Sequence, residues 1–77
     1  MIQERFIVFV SKIEEKDKFR DKTIKLGLVE NNLLLTKLCA DNNAYFFIYY
    51  PEFKSFDYKD NNSDIRSNIS LEQYLKI

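Results

Sequence analysis

The chain has 77 residues, 45% hydrophobic and 16% aromatic, with 12 basic and 12 acidic side chains that cancel. That length admits one domain with one core, and the apolar fraction excludes a disordered chain. With no histidine and only one cysteine, Cys39, neither an internal disulfide nor the common zinc and copper ligand sets can be assembled, so no metal or cofactor is expected.

Residues 1–5 carry neither the basic start nor the apolar run of a signal peptide. The longest apolar stretches, residues 6–10 and 44–51, are too short to span a bilayer. A cytoplasmic protein that does not engage membranes is expected. Abundant lysine, asparagine and isoleucine beside one glycine and one proline point to AT-rich coding, as in a low-GC bacterium or its phage.

Residues 5–10 are β-branched or aromatic after Arg5 and read as an interior strand covered on both faces. Ser11 and Glu14 have capping-box spacing, and residues 12–22, mostly charged with Ile13 and Phe19 as anchors, read as a short exposed helix, with a charged loop as the alternative. Residues 23–29 place apolar side chains at 24, 26 and 28, the period of a strand; a helix running to Gly27 as its C-cap is the alternative. Residues 33–39 read as another strand, between asparagine-containing turns at 30–32 and 41–43. Residues 44–50 are the clearest strand of all, stopped by Pro51, and residues 53–59 suit a short edge strand before a polar loop at 60–63. Ser70 and Gln73 form a second capping box, with Ile69 and Tyr74 at staple positions, and predict a helix over 71–77.

The expected fold is α+β: a small antiparallel sheet of three to five strands, a charged helical segment after the first strand and a short C-terminal helix. A small closed β-barrel is the alternative. With even-length turns, one sheet face collects Ile24, Leu26, Leu28, Leu33, Leu35, Lys37, Cys39, Phe46, Ile48 and Tyr50. The other collects Lys25, Val29, Leu34, Thr36, Leu38, Tyr45, Phe47 and Tyr49; a three-residue first loop would swap the first strand's residues to the opposite face.

Both faces are apolar, and so small a domain has few helices to cover them. An uncovered aromatic face marks an interaction surface. The expected contact residues are Tyr45, Phe47 and Tyr49 with Leu34 and Leu38, meeting another protein or a second copy of the chain. The alternative buries these aromatics under the chain's own helices.

Little else carries chemistry. Without histidine there is no Ser-His or Cys-His pair, and one glycine excludes phosphate-binding loops. The carboxylates Glu14, Glu15, Asp17 and Asp21 are interleaved with lysines and Arg20, the pattern of a solvated face. Asp60, Asn62 and Asp64 match the first positions of a calcium loop, but Ile65 and Leu71 stand where its glycine and final glutamate belong, which leaves a polar turn. A non-enzymatic inhibitor or adaptor is the expected class. Single-stranded nucleic-acid binding on the sheet aromatics, flanked by Lys25 and Lys37, is the rival; the neutral charge speaks against it.

Overall fold

The computed structural model describes residues 4–29 and 33–77, apart from the side chain of Leu34. The β-branched and aromatic run forms strand β1, Phe6–Val10, and the aromatic run forms strand β2, Tyr45–Tyr50. Pro51 ends β2 and opens a short 3-10 turn, Pro51–Phe53. Lys54, with φ of 47°, then returns the chain as strand β3, Ser55–Asp60. All pairings are antiparallel in the order β1-β2-β3, so β2 is the central strand and β1 an outer one. The sheet is open, which excludes the closed barrel.

Residues 12–29 resolve in favour of helix. Helix α1, Ile13–Leu26, runs a full turn beyond the expected charged segment. Its inward stripe is Lys16, Phe19, Thr23 and Leu26, at helical spacing. The period-two signal at 24, 26 and 28 did not specify a strand, and Ile24 is 45% exposed. Gly27, at φ 67°, donates its N–H to Ile24 O, while Leu28 donates to Thr23 O. This is the paired bonding of a left-handed helix stop that glycine adopts without strain. At the N-terminus, Lys12 offers no acceptor to the first-turn amides. Glu15 supplies the cap instead, accepting from the Lys12 N–H and the Ser11 hydroxyl at 3.2 and 3.1 Å.

Residues 33–39, expected as a strand, form helix α2, Leu33–Cys39. Leucine is among the better helix formers, and Leu35, Leu38 and Cys39 share one face at i, i+3 and i+4. Leu35 and Cys39 are buried and Leu38 partly so, while Thr36 and Lys37 face water. The last helix, α3, Leu71–Leu75, forms as its capping box predicts: Gln73 N–H donates to Ser70 Oγ at 3.1 Å, and Gln73 Oε1 accepts from Ser70 N–H at 3.0 Å.

The helices lie on one face of the sheet, over Phe6, Val8 and Val10 of β1 and Tyr45, Phe47 and Tyr49 of β2. Phe19 of α1 stacks on Phe47 with ring centroids 4.7 Å apart, and Tyr74 of α3 lies 5.2 Å from both Phe6 and Phe19. Tyr74 also shares a 2.7 Å hydrogen bond with the buried Thr23 hydroxyl. Fully burying side chains of this size contributes about 1.5–3 kcal/mol each, which makes this aromatic layer the principal stabilising element.

Candidate protein-binding face

The register that turns Val8 and Phe47 toward the helices turns Ile7 and Phe9 of β1, Phe46, Ile48 and Tyr50 of β2, and Ser55, Asp57 and Lys59 of β3 to the opposite face. Among the described residues no helix covers that face, although Ile48 at its centre is only 7% exposed. Phe9 is 36% exposed, and its ring lies 4.7 Å from that of its cross-strand partner Phe46. The segment after β3 runs along one side and supplies Asn61, Ile65, Arg66 and Ser67. With Phe9 and Phe46 these residues line an open depression of about 490 Å³. Two cations border the aromatics: Arg66 in that lining, and Lys59 directly across from Phe46. Neither forms an ion pair among the described residues, whereas Arg5, at the far end, is tied to Glu52 at 3.5 Å and lies 4.6 Å over the Tyr50 ring.

The same segment then turns back to the outer edge of β1. Ile7 N–H donates to Asn68 Oδ1 at 2.8 Å, and Ile7 O accepts from the backbone amides of Asn68 and Ile69. Val8 and Ile69 form a short parallel bridge there. The depression is thereby anchored at both ends, by the β2–β3 ladder and by this seal on β1.

The contact residues expected from sequence do not form a surface. Tyr45, Phe47 and Tyr49 are 8%, 0% and 3% exposed, enclosed by α1, α3 and the rest of the aromatic layer. Leu38 lies partly buried beside a cavity of about 110 Å³ lined also by Val29, Leu35, Phe47 and Phe56. The Leu34 side chain lies outside the described residues. The correction has one physical cause: residues 23–26 and 33–39 are helices, so they cover that face instead of extending the sheet. Lys25 and Lys37, expected to flank the sheet, are exposed on α1 and α2. The alternation within residues 44–50 had separated Phe46, Ile48 and Tyr50 from Tyr45, Phe47 and Tyr49; it could not say which set the helices would cover.

Several other polar groups have structural duties. Lys16 is fully buried, and its ammonium donates to Asn43 O at 2.8 Å, Leu38 O at 3.1 Å, Asp41 O and the Asp41 carboxylate at 2.9 Å. A cation at the C-terminal carbonyls of α2 also complements that helix's dipole. Asp41 in turn accepts from the Tyr45 hydroxyl at 2.6 Å, and this bond, with that from Lys16, holds its carboxyl below the usual range. Burial pushes the Cys39 thiol up to about 11, the opposite of what a nucleophile requires. Asp17 and Asp21 pair with Arg20, and Glu15 caps α1. Asp60 Oδ1 accepts from Asn62 N–H, so that carboxylate shapes a turn. No cluster of three metal-ligating side chains occurs among the described residues, and none of their helices is long and apolar enough to cross a membrane. Comparison of the chain with protein-family models, curated proteins and solved structures finds no match to any of them.

Proposed function

We propose that this chain is a non-enzymatic protein-binding module, an inhibitor or adaptor that works through the open sheet face centred on Phe9 and Phe46. The observation that carries the proposal is the aromatic pair beside a depression, bordered by Arg66 and Lys59, which form no ion pair among the described residues. An apolar recess bordered by cations suits a partner segment that inserts one large apolar side chain and presents carboxylates on either side of it. Apolar anchors in desolvated pockets carry most of the energy in such contacts, and the bordering charges set orientation and association rate. The cytoplasm of a bacterium or its phage is the setting that the composition suggests.

A second reading is favoured by the same pair. Two aromatic rings on an open sheet with nearby cations also form a platform on which unstacked bases can lie. The balanced overall charge weakens it, because backbone tracking needs a broad basic field.

Affinity capture with the wild-type protein and with Phe9→Ser and Phe46→Ser, each with and without nuclease, separates these readings. The module reading predicts a polypeptide captured by the wild type, unaffected by nuclease and lost from both variants, with circular dichroism unchanged. Capture that disappears with nuclease establishes the second reading. Equal capture by all three proteins rejects both.

A further inference from the structure

We infer that the free edge of β3 pairs antiparallel with β3 of a second copy, joining two three-stranded sheets into one of six strands.

The two edges of the sheet are treated differently. On β1 the outward amide and carbonyl of Ile7 are satisfied by Asn68 and Ile69. On β3 no strand pairs with the outer edge among the described residues.

The direction of its backbone groups follows from the ladder. Ile7 points away from β2, so its partner Ile48 points toward β3, and Asp57, opposite Ile48, points back toward β2. Alternation then turns Phe56, Tyr58 and Asp60 outward. An independent contact agrees: the Tyr58 N–H donates at 2.8 Å to the neighbouring Asp57 carboxylate and not into the ladder. A carboxylate borrowed from the adjacent residue holds the place of an absent strand.

The sequence of β3 complements itself about Tyr58. In an antiparallel pair with a second β3, residues facing each other must share a sheet face, which limits the register to a few choices. Centring on Tyr58 sets Asp57 opposite Lys59 of the second copy, and Lys59 opposite its Asp57. Centring on Asp57 or on Lys59 sets like charges face to face, which is unfavourable. Only the Tyr58-centred pairing places outward backbone groups and opposite charges together. The Tyr58 amide then bonds to the second copy's Tyr58 carbonyl, releasing Asp57 to its lysine. The helices stay on one side, and the open face continues across both copies with two Phe9–Phe46 pairs. This inference does not rest on the proposed function; the two share only Lys59, which the dimer would engage with Asp57 of the second copy.

Sedimentation velocity over a dilution series tests it with wild type, Asp57→Lys, Lys59→Asp and the double exchange. An edge contact smaller than a standard interface predicts a weak, concentration-dependent dimer with a measurable dissociation constant. Each single variant places like charges opposite one another and raises that constant at least tenfold, while the double exchange restores it to within about threefold. A wild type that stays monomeric at about 1 mM overturns the inference, as do single variants that dimerise like wild type. Tyr58→Cys adds a check on register. Facing Cα atoms in a hydrogen-bonded pair lie about 5.5 Å apart, too wide at Cβ for an unstrained disulfide but within reach of a short bifunctional thiol cross-linker. Such a reagent therefore links Tyr58→Cys into a dimer and leaves Phe53→Cys, on the preceding turn, unlinked. The reverse result contradicts the register.

Discussion

Replacing Lys16 by methionine tests whether a buried charge fastens the helical layer to the sheet. Methionine keeps most of the stem that fills the site and removes only the ammonium. The carbonyls of Leu38, Asp41 and Asn43 then lose a donor, and the Asp41 carboxylate loses its cation. An unmet buried acceptor costs about 1–3 kcal/mol, but these contacts are part-buried and water reaches some of them. The Asp41 side chain is 37% exposed and rehydrates. The expected loss is therefore about 3 kcal/mol, the low end of what breaking a buried pair costs. A domain of 77 residues is stable by roughly 4–12 kcal/mol, so this is a quarter of the total or more. With a slope of about 1 kcal/mol per molar in urea, the midpoint falls by about 3 M. Urea titration followed by far-ultraviolet circular dichroism measures it. A shift below about 1 M would refute the clamp.

Cys39 should resist alkylation in the native state at pH 8, and its thiol, raised by burial to about 11 from an ordinary 9.0, should make the fold sensitive to base. Its contribution is complete below pH 9.0 and is lost as pH rises through about 11, by at most about 2.7 kcal/mol. Urea titrations of wild type and Cys39→Ala between pH 8 and 11 should converge, and parallel curves would reject the assignment. Asp41 has the opposite sign. Its carboxyl is depressed by the Tyr45 hydroxyl, so its stabilisation is present above 3.8 and fades as pH falls through the lower folded value. Asp41→Asn should flatten acid unfolding, and an unchanged acid limb would contradict this. Gly27→Ala meets no neighbour within 4 Å, so its expected cost of about 1 kcal/mol is backbone strain alone. Gly27→Asn should lose less, and wild-type stability for the alanine variant would exclude the left-handed stop.

Features whose physics is local could be read from the chain. The β2 run, the Pro51 stop and the Ser70–Gln73 box each act within a few residues and formed where expected. The α+β class followed from them. The extent of α1 was hidden because two of its four inward positions are Lys16 and Thr23, which a hydrophobic pattern counts as exposed. Each is buried only because distant partners satisfy it: the carbonyls at the end of α2 for Lys16, the Tyr74 hydroxyl for Thr23. Residues 33–39 hold four leucines in a run where helix and strand patterns overlap, and tertiary packing decided for helix. Those two segments determined which face of β2 was covered, so the candidate surface shifted from Tyr45, Phe47 and Tyr49 to Phe9 and Phe46. The seal of Asn68 on Ile7 spans 61 positions and has no local signature.

The most direct test of the central claim is amide chemical-shift mapping of the labelled protein as its captured partner is titrated in. The largest shifts should fall on residues 7–9, 46–48 and 61–67, around the depression between Phe9, Phe46 and Ile65. Shifts confined to α1 and α2, with that face unmoved, would contradict the account.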